Sequence, residues 1–350
     1  MDKEQWNEVL SLVSPGSKLR KGLDNILDGQ KGALILVGMN EEIEKVLDGG
    51  FILDCEYSPE RLFELSKMDG AIVLDDNVEK ILYANVHLQP DKRYLTEESG
   101  TRHRTAQRIA KQLNKVVIAI SERKRVQTLY FGEIRYRLRT VQALVNEGVQ
   151  GINTLERYKS VLDRSLTNLT LLEVDGLTTV EEVCIALQKF EMFSRIKMEV
   201  EECLFELGEE GKLLKLQFDD LVFGLDDERT EFLKDYSSDS EKTEQDVYEE
   251  ISALNDTELL DLAKISSILG YGKTARSLDN PVSTKGYRML SKFGKLTKKD
   301  IDSLIDTFGE LSKIEEAKVE ELSEVISKFK ANAIKRGFER IKYMSDIGRR

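Results

Sequence analysis

Ser99–Leu138, SGTRHRTAQRIAKQLNKVVIAISERKRVQTLYFGEIRYRL, changes its hydrophobic period halfway along, and that change decides the fold. Ala106, Ile109, Ala110 and Leu113 fall at i, i+3, i+4 and i+7, the apolar stripe of an amphipathic helix. The spacing predicts a helix from near Thr101 to Asn114. Beyond it, Val116–Ile120, Thr128–Phe131 and Ile134–Leu138 read as short strands, the last two joined as a hairpin around Gly132-Glu133. A helix feeding hairpin-linked strands predicts a mixed sheet flanked by helices, not a purely parallel one.

The helix start breaks a local rule. Arg102, His103 and Arg104 occupy the first turn, where free N–H groups and the macrodipole already favour anions. Each cation there costs roughly 0.3–1 kcal/mol unless something negative sits among them. Gly100 opens the backbone to a ligand, and Thr101 and Thr105 add hydroxyl donors, so a phosphate chain is the simplest missing partner. The alternative is a surface helix whose arginines pair with Glu97 and Glu98.

Toward the N-terminus, helical spacing in Trp6–Val13 and Leu19–Leu27 flanks a Ser14-Pro15-Gly16-Ser17 turn. Ala33–Val37, Phe51–Leu53, Ala71–Leu74 and Ile81–Leu88 read as strands, and Glu41–Leu47 and Pro59–Lys67 as helices. The α/β domain therefore ends near residue 145. Asp69-Gly70-Ala71 precedes the buried-looking strand AIVL. An Asp at such an edge can hold a metal or polarise a hydroxyl, and Gly70 lets a base or sugar lie against the backbone; a turn Asp with structural hydrogen bonds is the competing explanation. One carboxylate beside an arginine-rich phosphate cradle is the equipment of phosphoryl or nucleotidyl transfer.

The 350 residues carry a net charge of −12, distributed unevenly: residues 1–145 are neutral, 146–280 sum to −17 and 281–350 to +5. Only the last segment has the sign of a nucleic-acid contact. Cys55, Cys184 and Cys203 are scattered and read as reduced core residues, and two histidines exclude a His-rich zinc site. No apolar run reaches membrane-span length and no signal-peptide pattern opens the chain, so a cytoplasmic location without a membrane partner is expected. From Arg139 to Gly270 the pattern is helical, with stripes at Ile152, Leu155, Tyr158, Leu162, Leu166, Leu169 and Leu172 and again from Leu187 to Leu207. The Ser- and Asp-rich stretch Asp235–Asp246 reads as an exposed loop. Gly270–Ala275, GYGKTA, imitates a phosphate-binding loop but lacks the first glycine, since residue 267 is Ser, and follows a helical pattern instead of a strand.

Several blocks in order carry a family resemblance: Leu65–Leu74 LSKMDGAIVL, Ile81–Asp91 ILYANVHLQPD, Ser99–Gln112 SGTRHRTAQRIAKQ and Ala119–Gly132 AISERKRVQTLYFG. Together they resemble the diadenylate cyclase domain family. Ser14–Leu27, SPGSKLRKGLDNIL, and Ser283–Leu322 are similar to its DNA integrity scanning branch. The resemblance implies an enzyme that condenses two ATP molecules into cyclic di-AMP and pyrophosphate with Mg²⁺ or Mn²⁺, in homo-octamers whose cyclase domains meet face to face. It implies that Asp69 binds the metal and assists deprotonation of the ribose 3′-hydroxyl. Gly70 and Leu88 would pack against the nucleotide, and Thr101, Arg102, His103, Arg104 and Thr105 would hold its phosphates. Ser121 and Arg123 are further ATP contacts, and His103 is a proton carrier or an orienting donor.

The implied architecture is an α/β cyclase domain over 1–145, an all-α spine over 146–280 and an all-α helix-hairpin-helix DNA-binding domain over 281–350. Branched DNA is the expected partner and regulator there, linking the chain to DNA damage and repair. Gly294 and Lys295 of the first hairpin, and Lys328 and Lys330 near the second, are the DNA-contact candidates. The second hairpin, Val325–Phe329, lacks the family's Gly-x-Gly turn. The rival readings are a catalytically silent nucleotide sensor or DNA scaffold, and a nucleotidyltransferase acting on another acceptor.

Overall fold

A computed structural model of the chain describes residues 3–238, 242–293 and 296–348. It contains two compact units: Met1–Val149 with Glu201–Lys215, and Gln150–Val200 with Leu216–Arg350.

The first unit begins with helices α1 (Lys3–Val13) and α2 (Lys18–Asp28), followed by β1 (Ala33–Val37), α3 (Glu41–Glu44), β2 (Leu47–Asp48), β3 (Phe51–Glu56) and α4 (Pro59–Leu65). Strands β4 (Ala71–Leu74) and β5 (Lys80–Leu88), helix α5 (Thr101–Leu113) and strands β6 (Val116–Ser121), β7 (Val126–Phe131) and β8 (Ile134–Arg137) complete it. The sheet order is β2-β5-β4-β1-β6-β7-β8, with β3 also on β5. The β1–β4 pairing is parallel and the others are antiparallel, so the sheet is mixed as the hairpin pattern predicts.

Alternation along β1 builds two cores. Ala33, Ile35 and Val37 pack with Leu19, Leu23 and Ile26 of α2 and Leu62 of α4 on one face. Leu34 and Leu36 pack with Ala106, Ile109 and Ala110 of α5 on the other. The period-2 strand thus forces a helix layer onto each face, and α5 has that second face to itself apart from the short α3 region around Ile43 and Val46. Ser17 caps α2 by accepting from the Arg20 N–H, and Ser58 caps α4 ahead of Pro59.

The helix expected over Glu41–Leu47 stops at Glu44, because Leu47 and Asp48 pair with Leu88 and His87 at the sheet edge. The apolar spacing of the segment read as helical, but the edge of β5 offered backbone partners that a local pattern does not reveal.

The second unit is helical. Its long elements are α6 (Val141–Asp175) and α7 (Val180–Leu207), each shared with the first unit, followed by α8 (Lys212–Val222), α9 (Leu225–Tyr236), α10 (Glu244–Ser252), α11 (Asp256–Leu259), α12 (Leu262–Ile268) and α13 (Ala275–Leu278). Then come α14 (Tyr287–Lys292), α15 (Lys298–Phe308), α16 (Leu311–Glu316), α17 (Val319–Val325) and α18 (Lys328–Gly348), which enclose an apolar cluster from Met289 to Phe338. The stripe residues Leu155, Leu162, Leu166 and Leu169 are buried, as are Leu187, Phe190 and Phe193. The GYGKTA segment joins α12 to α13, with no strand before it.

The loop expected over Asp235–Asp246 is shorter than its composition suggests. Asp235 and Tyr236 finish α9 and are buried. Asp235 accepts the backbone N–H groups of Gly286 (2.6 Å), Tyr287 (2.7 Å) and Arg288 (3.0 Å), capping α14 from a distant part of the chain. Beside it Arg288 pairs with Glu173 at 2.6 Å, both side chains 1% exposed, and Tyr236 donates to the same Glu173. A tertiary cap converts an apparent loop Asp into the centre of a buried polar network.

Candidate active site

Helix α5 starts at Gly100 in extended conformation, and no side chain caps it. Its free N–H groups therefore remain available, as the cationic first turn suggested. The turn forms one wall of a cleft of about 330 Å³ lined by Gly100, Thr101, Arg102, His103, Ile120, Ser121, Glu122 and Arg123. The buried stripe Ala106, Ile109 and Ala110 clamps α5 onto the sheet, so this first turn projects from a fixed base. On the opposite wall the β6–β7 turn supplies Ser121, whose hydroxyl accepts the Lys124 N–H at 3.2 Å, and the exposed Arg123.

Tertiary folding brings the acidic element to the basic one. Asp69 Oδ1 lies 3.9 Å from Arg102 Nη2, with the Asp69 side chain 98% exposed. Gly70 has φ +91°, and a Cβ there would come within 2.8–3.0 Å of the Asn85–Val86 backbone. The reason is a bulge in β5: the β4–β5 register slips between Ala71 and Val73, and Asn85 itself takes φ +57°. Only glycine combines that left-handed backbone with that clearance. The Asp69-Gly70 turn is thereby pressed onto the sheet while its carboxylate faces outward.

Not every expected contact gathers here. Thr101 lines the cleft, but Arg104, exposed at the helix start, and Thr105, half-buried one turn on, are outside its lining. Leu88 is 9% exposed and sits in the apolar core beneath α5, outside the cleft lining. Glu98 does not pair with the arginines of α5; it accepts from Tyr130 (2.8 Å) and Arg135 (2.5 Å). Tyr130 in turn meets His103 Nδ1 at 2.9 Å. Burial pushes the Glu98 carboxyl up, but those two donors outweigh it and hold the group below the ordinary carboxylate range. Burial likewise drives the His103 pKa down; Glu98 opposes that, while Lys124, Arg135 and Arg102 reinforce it. Tyr130 is raised by burial and by the Glu98 charge.

Tyr130, Glu98 and Arg135 are functional candidates that the sequence reading missed. They stand 27, 5 and 32 positions from His103, so no helical or strand spacing links them. Gly32 was missed as well: a Cβ there would sit 3.2 Å from Arg102 Cζ and 3.1 Å from the Ile120 carbonyl oxygen, so its bare backbone makes the berth for the guanidinium.

In the second unit the DNA-contact candidates divide. Gly294 and Lys295 lie outside the described residues. Lys328 is exposed at the start of α18, whereas Lys330 is committed to Asp300 at 2.6 Å. Lys342 pairs with Glu315, and Lys335 donates to the Glu315 carbonyl. Among the described residues no group of three or more His, Cys, Asp or Glu side chains is arranged to hold a metal, and no helix is long and apolar enough to cross a membrane.

Comparison with known proteins accounts for both units. The family model described as the DisA bacterial checkpoint controller nucleotide-binding domain matches residues 20–134, and the DisA bacterial checkpoint controller linker region matches residues 138–278. The DNA integrity scanning protein DisA of Fusobacterium nucleatum is 49% identical over 350 residues, covering 100% of both chains. That of Carboxydothermus hydrogenoformans is 44% identical over 345 residues, covering 98% of each. A crystal structure of DacA from Staphylococcus aureus matches at 21% identity and a TM-score of 0.31, over 40% of this chain and 91% of that one. The chain belongs to the DisA family of DNA integrity scanning proteins.

Proposed function

We propose that this member of the family is a diadenylate cyclase, joining two ATP molecules into cyclic di-AMP with release of two pyrophosphates. The observation that carries the reading is the approach of Asp69 to Arg102, which sets one outward carboxylate beside an uncapped, arginine-bearing helix start. Arg102 and Arg104, with the Thr101 and Thr105 hydroxyls and the free N–H groups of α5, bind the phosphates of one ATP. Gly70 lets the nucleotide lie against the backbone, Leu88 supports that wall from the core, and Ser121 and Arg123 close the opposite side. His103 orients the nucleotide between them. Asp69 takes the proton of a ribose 3′-hydroxyl as the oxygen attacks the α-phosphate of the second ATP, in line with the departing pyrophosphate.

The donor set suits a hard divalent cation. Asp69 offers one exposed carboxylate and, among the described residues, belongs to no cluster of protein ligands, the arrangement in which Mg²⁺ or Mn²⁺ is completed by substrate phosphates and water. Such an ion supplies charge neutralisation at the phosphates when bound.

Each cleft holds one ATP, so catalysis requires two copies to face one another, in keeping with an octamer. Residues 1–145 form the cyclase domain, 146–280 a helical spine and 281–350 a helix-hairpin-helix domain that binds branched DNA and regulates synthesis, with Lys328 and the hairpin residues Gly294 and Lys295 at the phosphates. The test is incubation of the purified chain with ATP and Mg²⁺ or Mn²⁺ and separation of the products. Cyclic di-AMP is expected from the native chain and none from Asp69→Asn; its absence from the first or undiminished yield from the second overturns the reading.

A further inference from the structure

The contacts behind His103 fix where its protons are. Tyr130 has one hydroxyl proton and three polar neighbours: the Arg135 guanidinium, which can only donate to it, the Glu98 carboxylate at 2.8 Å and His103 Nδ1 at 2.9 Å. An ionised carboxylate can only accept, so the Tyr130 O–H points to Glu98. Glu98 is ionised, since Arg135 donates to the same Oε1 and the carboxyl is held low. Tyr130 Oη then has only a lone pair left for the imidazole. His103 Nδ1 must therefore carry a proton, because the opposite choice sets two lone pairs against each other across 2.9 Å. In the neutral ring this leaves Nε2 bare, and Nε2 is buried with no hydrogen-bond partner among the described residues.

We infer that Glu98 and Tyr130 are positioning residues of this site: they lock His103 into the Nδ1–H tautomer, so that Nε2 faces the nucleotide as a hydrogen-bond acceptor for a ribose hydroxyl and not as a donor to phosphate. This rests on the nucleotide-binding reading of the cleft and deepens it. It separates the three residues of the Arg102-His103-Arg104 turn into two chemistries, guanidinium donors for phosphate and an imidazole acceptor for sugar. The ring edge is held in place as well as its proton: Tyr130 is fully buried, its ring meets His103 edge-on with centroids 6.1 Å apart, and His103 lines the cleft beside Gly100, where a Cβ would stand 3.7 Å from Cδ2.

The chain has two histidines, so ¹⁵N-histidine labelling of the full-length protein gives two sets of ring signals, and His87→Gln assigns them. Solid-state ¹⁵N spectra are expected to show neutral His103 protonated at Nδ1. Tyr130→Phe and Glu98→Ala should both move the proton to Nε2, and both should lower kcat for cyclic di-AMP by roughly 10–100-fold. Glu98→Gln, which keeps an acceptor oxygen for Tyr130, should retain the tautomer and most of the activity. A loss of packing alone would lower the melting temperature without moving the proton. A native His103 protonated at Nε2, or a tautomer indifferent to both Tyr130→Phe and Glu98→Ala, overturns the inference. A chain that shows the Nδ1–H tautomer but makes no cyclic di-AMP overturns the cyclase reading instead, and with it the ribose contact, so the two failures are distinguishable.

Discussion

Replacing Gly32 with Ala should separate the stability of the first unit from its chemistry. Gly32 has no left-handed backbone to lose, so alanine is conformationally acceptable there and should shift unfolding stability by no more than about 1 kcal/mol. Its Cβ, however, would stand 3.2 Å from Arg102 Cζ and nearer still to Nη1. Carbon contacts settle at roughly 3.5–4.0 Å, so the guanidinium must retreat by about 1 Å. The Ile120 carbonyl, 3.1 Å from the same Cβ, blocks relief through the backbone. A misplacement of about 1 Å in a phosphate-orienting group can cost on the order of 100-fold in rate. Steady-state assays of ATP conversion, run beside urea unfolding, are the check. Turnover within about threefold of the native chain would refute the claim that Gly32 berths the arginine proposed to bind phosphate. Loss of activity together with the fold would refute the claim that the berth is separable from packing.

Glu173→Gln should destabilise the second unit by roughly 3–5 kcal/mol, because it strands the Arg288 guanidinium in a site where both partners are 1% exposed; urea unfolding checks this, and Glu173→Leu with Arg288→Met should recover much of the loss. Burial pushes Asp235 up from 3.8 to about 7 despite the three N–H groups it accepts. The folded chain then holds a proton between those values that the unfolded chain has released, so this group's contribution is present below pH 4 and lost as pH rises to about 7. The shift corresponds to about 4 kcal/mol, and Asp235→Asn should flatten that slope in pH-dependent unfolding. Lys328→Ala should weaken binding to branched DNA and reduce the salt-dependence slope by about one. Lys330→Ala should act mainly on stability, since its ammonium is spent on Asp300, and titrations across salt concentration distinguish the two.

The apolar run of β1, the stripe of α5 and the hairpin around Gly132 are local facts, and with the helical patterns on either side of β1 they pointed to helices on both faces of a mixed sheet. The cationic start of α5 was also legible, because a charge that opposes the helix macrodipole is visible in the sequence itself. Residues that act across the fold were not. Leu47 left its expected helix for an open sheet edge, and Asp235 left its expected loop to cap a helix about 50 positions away. Glu98, which the alternative surface-helix reading paired with the neighbouring arginines, serves Tyr130 and Arg135. In each case a hydrogen-bonding group chose a partner by proximity in space, and periodicity records only proximity along the chain. The sequence by itself determined the layers, the cationic helix start and the acidic turn; the tertiary structure decided that Asp69 and Arg102 meet, that Gly32 gives the arginine room, and which imidazole nitrogen of His103 is left free. Backbone pattern follows from burial and can be read one residue after another, whereas proton positions and close approaches exist only after distant segments share one surface.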